Sequence, residues 1–121
     1  MKPIRLIIQK KWFDMIAKGS KSVEYREINK YYIHRFFDCR FMRIPDERLL
    51  EIFMGECNPS VEERIGVALS NKVTNVGWVE LINGYQRNAP RLLIKVKAFS
   101  IGEGKQELGA VAGKRYFRLY F

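Results

Sequence analysis

Short runs that alternate apolar and polar residues constrain this chain more than any other feature, because a period of two fits a strand with one buried face. Ile4, Leu6 and Ile8 share a side in the first run. Leu92, Ile94, Val96 and Ala98 share one in a later run, with Leu93, Lys95, Lys97 and Phe99 opposite. The chain ends on Tyr116 to Phe121, where Phe117, Leu119 and Phe121 point inward by the same rule. In the run 23–26, Val23 and Tyr25 are placed in the core, which leaves Glu24 and Arg26 side by side in a cleft or at the surface. Val76 to Ile82 adds strand character and leads into Asn83-Gly84, a strong turn signal.

Between these runs the spacing turns helical. Trp12, Phe13, Met15, Ile16 and Ala17 follow it, and Gly19 is placed to end that helix with a positive φ. Trp12 falls on the face it shares with Met15 and Ile16 and is expected in the core. The aromatic stretch 31–38 suits a short helix, and 46–54 with 61–70 suits a helical hairpin inserted at 46–70. The expected fold is therefore α+β, a small, mainly antiparallel β-barrel with short covering helices, in one domain spanning 1–121. Its strands at 4–8, 23–26, 92–98 and 117–121 should form one curved sheet, with the 12–18 helix over an opening. A parallel nucleotide-binding sheet fits less well, because the chain has neither a GxxxxGK[ST] nor a GxGxxG loop.

The formal charge of +9 is unevenly spread. Residues 1–26 carry seven Lys or Arg against two acids, 86–121 carry eight against two, and 46–63 carry one against six. Basic ends brought together would face a polyanion, which makes single-stranded RNA or a nucleotide the expected partner. No apolar run is long enough for a membrane helix and no secretory signal opens the chain, so the cytoplasm is expected. Cys39 and Cys57 stand apart and His34 is the sole histidine, so neither a metal nor another cofactor is expected.

The stretch Phe13 to Arg26 reads FDMIAKGSKSVEYR, with Gly19, Lys21, Glu24 and Arg26 in the spacing Gly-x-Lys-x-x-Glu-x-Arg. That pattern resembles the signature of ASCH domains. The helix before Gly19, the Tyr31-Tyr32 stretch and the Asn83-Gly84-Tyr85 turn before a basic strand also look like that family, over 1–38 and 76–121. The resemblance implies a PUA-like β-barrel that binds RNA or modified nucleotides in a cleft, with a few members acting as hydrolases or ribonucleases.

The residues themselves carry the same chemistry. Lys21, in a turn, can reach a phosphate or a polarised carbonyl. Glu24 and Arg26 can pair and leave a carboxylate oxygen for a base edge. Tyr85, beside a glycine turn, suits the lip of a site, whereas Trp12, Tyr31 and Tyr32 can stack on a base or pack in the core. Arg35, Lys95 and Lys97 are candidates for phosphate contacts, with Arg35 and Lys95 outside the cleft; His34 is expected near the surface. The alternative is a metal-independent hydrolase in which Lys21 and Glu24 are catalytic. For the family's acetylated-cytidine amidohydrolases, the resemblance implies a lysine and a threonine working with a later glutamate. Here Glu24 holds the threonine position, and the later strand offers Lys95 and Lys97 without an acid, so that network is incomplete. A ribonuclease would use Lys21 with a neighbouring hydroxyl. The acidic insert leaves a protein-interaction module as a third reading.

Overall fold

The computed structural model describes residues 2–37, 45–54 and 76–121. Strand β1 (Ile4–Ile8) leads into helix α1 (Lys10–Lys18), strand β2 (Val23–Glu27) and helix α2 (Lys30–Phe36). Helix α3 (Asp46–Phe53) lies against α2, and strands β3 (Trp78–Asn83), β4 (Arg91–Lys95), β5 (Ala98–Glu103) and β6 (Arg115–Tyr120) complete the chain. The α+β class is as expected. The second helix expected at 61–70 lies outside the described residues, as do Cys39 and Cys57.

The single curved sheet is instead two sheets of three strands, in the orders β1-β3-β4 and β2-β6-β5. No closed barrel forms among the described residues. β1 pairs with β3 in parallel, and the remaining pairs are antiparallel. The run expected as one strand from Arg91 to Phe99 breaks at Val96 and Lys97 and passes there from one sheet to the other. Backbone bonds fix the crossing: Val96 N–H donates to Gly77 O at 2.8 Å and Lys97 N–H to Tyr120 O at 2.7 Å. The break also shifts the phase, so Phe99 is buried while Ala98 is exposed, the reverse of uninterrupted alternation.

Both sheets press onto one core. Ile4, Leu6 and Ile8 of β1 meet Val79 and Leu81 of β3, and Phe99, Ile101, Phe117 and Leu119 face them from the other sheet. Phe117 is the centre of the aromatic part. Its ring lies 5.3 Å from Phe36, 5.6 Å from Phe99 and 5.8 Å from Phe53, each centroid to centroid. Phe53 thus gives α3 the apolar partner expected of that segment.

Cross-strand register settles which face of β2 looks inward. Residues directly opposite one another in a sheet project to the same side. Glu24 sits opposite Leu119 and Arg26 opposite Phe117, so both charged residues share the core-facing side. Tyr25 sits opposite Arg118 on the outer side. This reverses the expected assignment of Val23 and Tyr25 to the core face. Val23 is buried nonetheless, and Tyr25 is half-buried, its hydroxyl accepting from Lys105 N–H at 3.1 Å.

Among the described residues, side chains from β2 and α2 rather than a backbone ladder meet the free edge of β1. Arg26 Nη2 donates to Ile7 O at 3.0 Å, and Arg35 Nη2, from α2, donates to Arg5 O at 2.7 Å.

Candidate functional site

A cleft of about 500 Å³ opens where β1 and β3 end. Ile7, Ile8 and Gln9 line it from the first strand and its exit, and Asn83, Gly84 and Tyr85 from the third. Lys10 and Trp12 of α1 and Leu108-Gly109 of the late loop form further walls, and Lys21, Glu24, Tyr25 and Arg26 complete the lining.

Helix α1 positions Lys21 by the way it stops. Gly19 takes φ +84° and donates its N–H to Ile16 O, while Ser20 and Lys21 both donate backbone N–H groups to Met15 O at 2.9 and 3.1 Å. That left-handed cap needs glycine. It turns the chain back so that Lys21 lies beneath its own helix, with Nζ 4.5 Å from the centre of the Trp12 ring.

Lys21 is 2% exposed and Glu24 5%. Charges so deeply placed persist only when paired. Glu24 Oε1 accepts from Lys21 Nζ at 3.2 Å and from Tyr25 N–H at 3.1 Å, and Oε2 accepts from Arg26 Nη2 at 2.8 Å. Arg26 Nη1 donates to Tyr32 OH at 3.0 Å. Neither carboxylate oxygen is therefore free, contrary to expectation; of about four acceptor sites on the group, one remains. Arg26 Nε has no partner among the described residues.

Two cations share one carboxylate, so the cluster carries a net positive charge. Burial pushes the Lys21 ammonium below its ordinary 10.5, with Glu24 pulling it back and the Arg26 charge adding to the fall. Burial also works against the Arg26 charge, but Glu24 and the Tyr32 hydroxyl outweigh it and raise the guanidinium above its ordinary value. The cluster can thus present positive charge and hydrogen-bond donors to an acceptor-rich ligand.

Four sequence-selected residues come together here: Lys21, Glu24, Arg26 and Tyr85, the last 89% exposed at the lip. Lys95 and Arg35 stand apart from the cleft, as anticipated. Lys95 is exposed on β4 opposite Trp78, and Arg35 is tied to the Arg5 carbonyl and, through Nη1, to Tyr31 OH. Lys97 is exposed in the crossing between the sheets, and His34 is exposed on α2. Among the described residues, no three His, Cys, Asp or Glu side chains gather as metal ligands would.

Trp12 packs against the core, in line with the expectation, and serves the cleft as well. It is half-buried and forms a cleft wall, because Lys21 holds one region of its ring and Gly109 another. A Cβ at Gly109, whose φ is +104°, would lie 3.1 Å from the indole. Helical periodicity assigns a large aromatic to the core and carries no signal of the loop that meets it. Gly109→Ala is expected to cost about 1–2 kcal/mol from the left-handed backbone alone. Urea unfolding would show that loss, and the same variant should shift the tryptophan emission of the folded protein.

No family model, curated protein or solved structure matches the chain, so the cleft is read from its own residues.

Proposed function

We propose that the protein is an RNA- or nucleotide-binding module that takes one base into the cleft. The observation that carries this reading is the buried Lys21–Glu24–Arg26 cluster of net positive charge, which lines one cleft together with Trp12 and Tyr85. A nucleobase is planar, offers carbonyl and ring-nitrogen acceptors with an amino or imino donor, and brings a phosphate. Tyr85 supplies an exposed face for stacking, worth about 1–3 kcal/mol per base. The Lys21 ammonium supplies donors, Glu24 keeps one acceptor site for a base N–H, and Lys10 lies on the cleft wall for the phosphate. The spacing of Gly19, Lys21, Glu24 and Arg26 supports membership of the ASCH family. On this reading the two sheets are a PUA-like barrel bridged by side chains between β1 and β2. No helix among the described residues is long and apolar enough to cross a membrane, which accords with a protein that meets its ligand in the cytoplasm.

A salt-titrated binding assay against single strands of differing base composition tests the reading. Glu24→Gln exchanges an acceptor for a donor and is expected to change the preference among bases. Lys95→Ala, outside the cleft, should weaken all sequences alike and flatten the salt dependence. Equal losses on every sequence for Glu24→Gln would reduce Glu24 to a structural ion pair, and no binding by the wild type at low salt would end the reading.

The juxtaposition of Lys21 and Glu24 at 3.2 Å on the cleft wall favours one second reading, a metal-independent hydrolase in which these two residues are catalytic. Turnover of an acylated nucleoside or cleavage of RNA, lost in Lys21→Ala, would establish it.

A further inference from the structure

Among the described residues β1 pairs with β3 alone, which leaves its other edge without a strand partner there. Open edges expose a row of carbonyls and amides that other chains can extend. Here guanidinium groups occupy two successive outward carbonyls: Arg26 holds Ile7 O and Arg35 holds Arg5 O. The two carbonyls are one strand repeat apart, two residues of about 3.3 Å each. One of these arginines lines the cleft, and the other is next along the same edge.

Beyond Arg35 the positive surface continues. Lys2, Pro3, Arg5, Arg35 and Glu80 line a recess of about 320 Å³. Its one acid is already engaged, since Arg91 Nη1 donates to Glu80 Oε1 at 2.6 Å and Arg5 Nε lies 3.6 Å from the same oxygen. Lys30, Tyr31, His34 and Arg35 line an adjoining recess of about 420 Å³. Tyr31 is 59% exposed and stands edge-on against Tyr32, whose hydroxyl holds Arg26. A set of contacts therefore runs from the cleft through Arg26, Tyr32, Tyr31 and Arg35 to the Arg5 carbonyl, and Lys2 lines the recess beside it.

We infer that this β1 edge is a track for the sugar–phosphate backbone of a single-stranded nucleic acid whose base occupies the cleft. Arg5 and Lys2 contact phosphates, and Tyr31 is a second stacking platform. The inference rests on the cleft reading and extends it from one nucleotide to a strand with a direction.

Lys2→Gln with Arg5→Gln in the 121-residue chain tests this, because both side chains are exposed and neither lines the cleft. The probes are a labelled single strand of about ten nucleotides, within the ~4–16 that compact single-strand sites cover, and the four nucleoside 5′-monophosphates. The double variant should lose about 1.4 from the slope of log affinity against log salt for the strand, at ~0.7 per phosphate contact. Its affinity for the monophosphates should equal the wild type's. Tyr31→Ala should weaken the strand and spare the monophosphates in the same way. An unchanged slope and strand affinity in the double variant would overturn the track and leave the cleft reading standing. Strand binding that is lost in the double variant, with no monophosphate bound by any form, would keep the track and remove the cleft reading.

Discussion

Glu24→Ala is expected to destabilise the fold by about 3–5 kcal/mol, the loss that follows when one member of a buried ion pair is removed and its partner charge stays behind. Two cations depend on this carboxylate, at 3.2 and 2.8 Å. Lys21 is the more affected, because its ammonium is buried and Glu24 is the group that most opposes the fall in its pKa. The deficit should also depend on pH, with a definite sign. Lys21 titrates in the unfolded chain near its ordinary 10.5 and lower in the folded one. Between those values the unfolded chain holds a proton that the folded chain has released, so stability rises with pH. Without Glu24 the folded value falls further and the interval widens, so the variant should regain part of its deficit as pH climbs towards 10.5. Urea unfolding of wild type and Glu24→Ala at stepped pH measures this. A deficit within the range of an ordinary surface change, about 0.5 kcal/mol, would mean that the cluster is not a buried ion network.

Phe117→Ala carries the other large expected loss, about 3–5 kcal/mol for deleting a fully buried phenylalanine. The ring is 0% exposed and is shared by elements far apart in sequence: Phe36 from α2, Phe53 from α3 and Phe99 from β5. Its removal opens a cavity that no single element can collapse to fill. Phe117→Leu, which keeps much of the volume, should lose less. The same unfolding assay separates the two. An alanine variant as stable as the leucine variant would show that the aromatic cluster does not tie α3 to the sheets.

Much of this arrangement is legible in the chain, and its exceptions have physical causes. Gly19 marks the end of α1 because a left-handed cap with φ +84° admits little else. Lys21, Glu24 and Arg26 are recoverable as a group because their spacing puts the last two on one face of an extended segment. Which face turns inward is not recoverable. Polarity alone turns Val23 and Tyr25 inward, whereas the choice is made by register with Leu119 and Phe117, more than ninety residues away in sequence. Likewise Tyr25 reads as a core residue until its hydroxyl is seen to hold Lys105 N–H across the fold. The break at Val96-Lys97 hides inside an apolar alternation that continues without interruption, because the change of sheet depends on bonds to Gly77 and Tyr120. The cleft role of Trp12 is hidden for a similar reason, since the groups that make it a wall are Lys21 and the distant Gly109.

The central claim is that the cleft takes a base between Trp12 and Tyr85 above the Lys21–Glu24–Arg26 cluster. Amide and indole N–H chemical-shift mapping, with the nucleoside 5′-monophosphates titrated into the isotope-labelled protein, tests it most directly. The account predicts that Gly84, Tyr85, Gly109 and the Trp12 indole shift together and saturate along one binding curve, while Trp78 on the outer sheet face stays still. Saturable binding that leaves those four unmoved would contradict it.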